Sequence, residues 1–189
     1  MDTTDPQTGF LLHRTVVLVG MMGSGKTAIG RALAARLDVA FRDSDSAIEE
    51  AAQRSIAEIF ARDGEAFFRE REAEVIERLL GQSPGILSTG GGAFMNPMVR
   101  QIIAEAGTTV WLDVDLATLW ERVRHKDTRP LLRTADPQAT LTVLYHDRTP
   151  TYQLADLRTV ITAEISIEET TELVLQTLLT DPRTLETTP

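Results

Sequence analysis

Eight residues near the start of the chain, "GMMGSGKT" (20–27), have the types and spacing to hold a row of phosphates. The pattern is G-x-x-x-x-G-K-[ST], with the apolar run "TVVLVG" before it and a helical pattern, "KTAIGRALAARL", after it. Glycines let backbone N–H groups turn inward around phosphate oxygens, and the helix N-terminus adds its partial positive charge. Gly23, Ser24, Gly25, Lys26, Thr27 and Ala28 form the expected nucleotide cradle. Lys26 reaches the β/γ-phosphates, and the Thr27 hydroxyl is placed for Mg²⁺. A nucleoside triphosphate with Mg²⁺ is the chemistry these residues serve. The loop does not say whether water or a hydroxyl receives the phosphate.

The acceptor side rests on residues further along. "FRDSD" puts Asp43 and Asp45 at the end of a second short strand, where open α/β sheets place their ligands. Two residues apart on a strand, they are expected to point the same way. One carboxylate then orients Mg²⁺ through water and the other takes a hydroxyl proton. The competing reading is helix capping, with Asp45 placed just before "SAIEE". "AFFRERE" carries Arg69, although Glu residues on the same helix offer it ordinary intrahelical pairing. "STGGGA" (88–93) has more glycines than a turn needs, so a ligand can approach its backbone closely. Arg129 in "TRPLL" and Arg148 in "DRTPTY" add two guanidiniums, the second separated from Tyr152 by Pro150. An acceptor met by several arginines is itself an anion, because the guanidinium fork pairs with carboxylates. A small acid bearing a hydroxyl fits.

Short strands alternating with helices must position these groups: strands at 15–20, "VAFRD", "GILSTGGG", "TTVWLDV" and "TVI". Such alternation predicts the α/β class, a parallel sheet with helices on both faces. Ser55 with Glu58 three residues later marks a capping box, for a helix that stops at Gly64, and a second helix runs from there to Gly81. The polar stretch "KDTRPLLRTADPQ" (126–138) lies between two helical patterns and reads as a mobile lid. Residues 1–14 read as a flexible N-terminal extension and 181–189 as a frayed tail around a single domain at 15–180.

Composition sets the outer limits. A net charge of −9 argues against nucleic-acid or anionic-membrane partners. Zero cysteines exclude disulfides, thiolate metal sites and a cysteine nucleophile. With no secretory leader and no membrane-length apolar run, the cytoplasm is the expected compartment. One domain without an obvious second apolar face favours a monomer.

In order along the chain, "GMMGSGKT", "DSDSAIE", "SIAEIFARDGEAFFRERE", "STGGGA", "RPLL" and "RTPTY" resemble the shikimate kinase family. The resemblance covers nearly all of 15–180. It implies a five-stranded parallel sheet in the order 2-3-1-4-5, as in nucleoside-monophosphate kinases, with the acceptor bound by the helices of about 44–80. It implies transfer of the ATP γ-phosphate to the 3-hydroxyl of shikimate, a step towards chorismate and aromatic amino acids. Carried over residue by residue, Lys26 and the loop backbone hold ATP, and Thr27 and Asp43 serve Mg²⁺. Asp45 is the base at the 3-hydroxyl, while Arg69, Arg148 and the Gly91 N–H grip shikimate. Phe60 and Phe68 line its pocket, Glu72 holds an arginine, Arg122 lies at the adenine and Arg129 neutralises the transferring charge. "RHKDT" and "QLAD" depart from the family's usual charge pattern around the nucleotide. Two other readings stand beside this one: a kinase of the same fold for another hydroxy acid such as gluconate, and a catalytically silent nucleotide-binding paralogue.

Overall fold

Five short parallel strands with little polar content can only be satisfied in the middle of a layered structure. The computed structural model, which describes residues 9–125, 130–163 and 165–188, has them there. The elements in chain order are β1 (Gly9–Leu12), β2 (Thr15–Val19), α1 (Lys26–Leu37), β3 (Phe41–Asp43), α2 (Ser44–Ala52), α3 (Ile56–Leu80), β4 (Ile86–Ser88) and α4 (Pro97–Ala106). Then follow β5 (Gly107–Val114), α5 (Leu116–Val123), α6 (Pro137–Tyr152), β6 (Leu157–Ile161), α7 (Ile167–Leu178) and β7 (Leu185–Thr188). The large sheet runs β3-β4-β2-β5-β6, parallel throughout. Counted among those five strands alone, this is the expected 2-3-1-4-5.

The centre of the sheet is β2, whose Val16, Val17 and Leu18 are fully buried. Right-handed crossovers put α1 on one face and α3 and α4 on the other. The contacts agree: α1 packs on α7, and α3 packs on α4. Because β2 is followed by a move to one side of the sheet and β4 by a move to the other, a crevice opens beyond their carboxyl ends. The phosphate loop, the end of β3 and the glycine turn after β4 all border it.

Local signals acted where they were expected. Ser55 and Glu58 form the reciprocal capping box at the start of α3. The backbone breaks at Gly64 (φ 84°, ψ 171°), so α3 is two helical segments joined at that residue, as the two helical patterns predicted. Asn96 caps α4 and Pro97 occupies its first turn.

Two expectations need correction. Part of the presumed tails is structured: β1 and β7 pair antiparallel, Gly9 opposite Thr188 and Leu12 opposite Leu185. Leu185 is buried, and the Thr184 and Thr108 hydroxyls share a hydrogen bond of 2.6 Å. The chain ends thus close on each other and on the base of β5. The second correction concerns 126–138. Pro130–Leu132 form a 3-10 turn with Leu132 buried, and α6 already begins at Pro137. Residues 126–129, Arg129 among them, lie outside the described residues.

Candidate active site

The phosphate loop follows β2 and leads into α1. Gly25 caps that helix at φ 94°, a left-handed conformation that a side chain would strain. Lys26 Nζ donates to the carbonyls of Gly20 (2.7 Å) and Met21 (3.0 Å), so the ammonium curls back over the loop. Ser24 is fully buried, and its Oγ has no hydrogen-bond partner among the described residues. Ala28 is exposed in the first turn of α1. From α5, Arg122 Nη1 reaches the Gly23 carbonyl at 3.4 Å, which puts that guanidinium at the loop's outer edge.

Asp43 ends β3 and its two oxygens divide their work. Oδ1 accepts from the N–H groups of Asp45 (3.0 Å) and Ser46 (3.2 Å), capping α2. Oδ2 accepts from Thr27 Oγ1 at 3.1 Å. The capping residue is therefore Asp43, not Asp45. The strand argument for a shared direction also fails, because Asp45 sits in the first turn of α2 and only Asp43 is on the strand. Asp45 reaches the same crevice by another route. Its Oδ1 lies so near Gly90 that a Cβ there would come within 2.7 Å of it.

Gly90, Gly91 and Gly92 form the floor on which the acceptor side converges. The Gly90 N–H donates to the buried Ser44 Oγ at 3.2 Å, tying the turn to the start of α2. Arg148 Nη1 donates to the Gly91 carbonyl at 3.3 Å, and Tyr152 Oη donates to the same oxygen. The Gly91 N–H donates to no protein acceptor among the described residues. Gly91 also faces the phosphate loop: a Cβ on it would lie 3.5 Å from the Met22 nitrogen. The Arg69 guanidinium lies against Gly92, within 2.8 Å of where a Cβ would be.

Behind Arg69 stands Glu72, buried and 2.7 Å from Arg69 Nη1. Burial pushes the Glu72 carboxyl above its usual range. Arg69 opposes that shift most strongly, Asp45 adds to it and Arg148 opposes it. Four charged groups from α2, α3 and α6 thus feel one another across the glycine floor. Phe60 and the buried Phe68 meet at 4.6 Å between ring centroids, and the Arg69 guanidinium stands 5.2 Å from the Phe68 ring. Burial also pushes the Tyr152 phenol up to about 12, which keeps it a neutral donor to Gly91.

The structure thus gathers Asp45, Arg69, Gly91 and Arg148 beside the loop of Lys26, with Phe60 and Phe68 behind Arg69. Arg129 falls outside the described residues. Sequence reasoning missed the parts played by Ser44 and Tyr152. A serine between two aspartates gives no sign that its hydroxyl anchors a distant turn. Tyr152 had a signal, its i+4 relation to Arg148, obscured because Pro150 read as a break. The proline occupies the last turn of α6 instead, and both side chains reach Gly91.

A phosphate loop facing a glycine turn flanked by arginines and carboxylates, on a five-stranded parallel sheet, is the arrangement of a P-loop small-molecule kinase. A family model described as shikimate kinase matches residues 22–179. The shikimate kinase of Ruegeria pomeroyi is 61% identical over 175 residues, covering 93% of this chain and 90% of that protein. The shikimate kinase of Cereibacter sphaeroides is 57% identical, with 93% and 88% covered. Among solved structures, the shikimate kinase from Acinetobacter baumannii in complex with shikimate superposes with a TM-score of 0.83 at 34% identity, covering 88% of this chain and 93% of that one. The chain belongs to the shikimate kinase family. A gluconokinase from Sinorhizobium meliloti, at 16% identity and a TM-score of 0.55, shares the fold alone.

Proposed function

We propose that the chain transfers the γ-phosphate of ATP to the 3-hydroxyl of shikimate, giving shikimate 3-phosphate and ADP. The observation that carries this reading is the convergence of Asp45, Arg69 and Arg148 on a glycine floor adjoining the phosphate loop. Two guanidiniums on one floor suit a carboxylate, and the Asp45 carboxylate beside them suits a hydroxyl. Family membership and the likeness to a shikimate-bound relative support the same acceptor.

The residues divide the work as follows. Lys26 and the backbone of 23–28 hold the phosphates, and Arg122 lies against the adenine. Thr27 and, through water, Asp43 hold Mg²⁺. Their hydroxyl and carboxylate, 3.1 Å apart beside the loop, are the hard oxygen donors Mg²⁺ takes alongside substrate phosphates. When bound, Mg²⁺ neutralises phosphate charge. Arg69, pinned by Glu72, and Arg148, pinned at Gly91, fix the shikimate carboxylate, with the Gly91 N–H turned to the ring. Phe60 and Phe68 wall the pocket. Asp45 takes the proton of the 3-hydroxyl as that oxygen forms its bond to phosphorus, and the bond to the ADP oxygen breaks. Arg129 offsets the charge spread over the transferring group. A monomer in the cytoplasm completes the proposal. No described helix is long and apolar enough to cross a membrane.

A coupled ADP-release assay with ATP and Mg²⁺ tests it, with shikimate, gluconate and quinate offered separately. Release that depends on shikimate, with a product heavier by one phosphate, is expected. Release with gluconate instead moves the chain to another acceptor, and ATP binding without release for any acceptor makes it a silent paralogue.

A further inference from the structure

An open cleft outside the crevice lies between α2 and α3, lined by residues of α3 other than those that meet the glycine floor. Phe68, Arg69 and Glu72 face the glycine floor, whereas Phe67, Arg71, Val75 and Arg78 face this cleft. Its volume is about 640 Å³, within the range of small-molecule sites.

Its lining has two parts. The floor is apolar: Ile48, Ile59 and Val75 are buried, and the Phe67 ring stands half in the open. Around it stand four arginines, 54, 62, 71 and 78, against two carboxylates, Asp63 and Glu74. Arg71 is paired with Glu74 at 2.7 Å, and Arg62 approaches Asp63 only to 3.6 Å. Arg54 and Arg78 have no ion pair within 4 Å and no side-chain hydrogen bond among the described residues, although the Glu58 carboxyl, held below its usual range by its hydrogen bonds with Ser55, is lowered further by the nearby Arg54 charge. A cationic excess over an apolar floor is unusual on a chain of net charge −9, where carboxylates outnumber cations. The Arg71 guanidinium already lies 5.2 Å from the Phe67 ring, so a flat apolar body can extend that stack.

We propose that this cleft is a second binding site, for a small amphipathic organic anion: an aromatic or alicyclic body on the Ile48–Ile59–Val75 floor, with a carboxylate or phosphate held by Arg54 and Arg78. Its lining comes from both sides of the Gly64 break, so an occupant ties α2 to both segments of α3. The site uses none of the residues assigned to phosphoryl transfer and stands independently of that assignment.

The test is a calorimetric titration of the full chain with 1-naphthoate, an aromatic carboxylate, in the presence of saturating shikimate. Saturable binding is expected, weakening as NaCl is raised, and falling about tenfold with Arg54→Ala or Arg78→Ala, which each remove one charge-assisted contact. Both arginines are on the surface, so circular dichroism should show the fold intact in either variant. Binding that disappears when shikimate is added belongs to the acceptor pocket and overturns the proposal. So does binding unchanged in both variants, or no saturation into the millimolar range.

Discussion

In the proposed function Arg148 supplies both charge and a fork, and Arg148→Lys separates the two. The side chain is 8% exposed and comes from the last turns of α6, with Nη1 donating to the Gly91 carbonyl. Lysine keeps the charge but has a single nitrogen, which cannot both bond Gly91 and present two parallel donors to a carboxylate. The carbonyl itself is not orphaned, because Tyr152 Oη still donates to it. The loss therefore falls on the acceptor and not on the fold. A hydrogen bond to a charged group contributes about 1.5–3 kcal/mol. Losing one such bond to shikimate raises its KM by roughly 10- to 150-fold.

The shikimate carboxylate is remote from the reacting hydroxyl, and its grip is the same in ground and transition states. Uniform binding of that kind appears in KM and leaves kcat nearly unchanged. The assay is steady-state ADP release over a wide shikimate range at saturating ATP, with thermal unfolding followed in parallel. An unchanged KM with an unchanged melting temperature would refute the placement of Arg148 at the carboxylate. A fall in kcat at constant KM would move Arg148 to the transferring phosphate instead.

Four further outcomes follow from the same geometry. Lys26→Met and Asp45→Asn should each abolish shikimate-dependent ADP release while circular dichroism shows a folded protein; full activity in either sinks its assignment. Gly90→Ala inserts a methyl 2.7 Å from Asp45 Oδ1, and displacing the proposed base should cost about 100-fold in kcat with little change in ATP affinity. The Glu72 carboxyl is raised in the folded state, so the native protein binds the extra proton: its stabilisation is present below the ordinary carboxylate range and lost as pH climbs through the raised value. Urea unfolding from roughly pH 4.5 to 8 should then show wild type losing stability relative to Glu72→Gln as pH rises, and a difference of opposite slope reverses the argument. Ending the chain at Arg183 removes Leu185 and the Thr184 hydroxyl, about 3 kcal/mol of burial and hydrogen bonding, and should lower the melting temperature by about 6–12 °C. An unmoved transition would show that the β1–β7 ribbon carries no stability.

The sheet and the phosphate loop were legible because each is written in consecutive residues. A buried parallel strand must be an apolar run, and a phosphate cradle must be a glycine turn with a lysine before a helix. The capping box of α3 and its break at Gly64 were legible for the same reason. The acceptor side is different, because its parts meet only after folding. Arg69 reads alone as one more cation on a helix crowded with glutamates, and it does pair with one of them. What separates Glu72 from its neighbours is burial, a consequence of how α3 lies on the glycine floor. No local pattern distinguishes the buried Glu72 from the solvated Glu70 and Glu74 two residues to either side.

The errors have two physical origins. Placing Asp45 at the helix cap assumed that β3 ran two residues further than it does. A capping oxygen acts on whichever N–H groups the backbone leaves unpaired, and here those belong to Asp45 and Ser46, so Asp43 caps. With Asp43 holding the helix start and Thr27 together, the Asp45 carboxylate lies against the Gly90 floor. The tails misled for the opposite reason. "GFLL" is too short to signal a strand, and "LETT" is both short and polar. They are strands only because the fold brings residues 9 and 188 together, and a two-stranded ribbon of four residues holds when one of its side chains, Leu185, is buried against the domain. Two segments that look dispensable in sequence thereby form a separate ribbon joined by Thr184 to Thr108 at the start of β5, the strand beside β2, which delivers the phosphate loop from its other end.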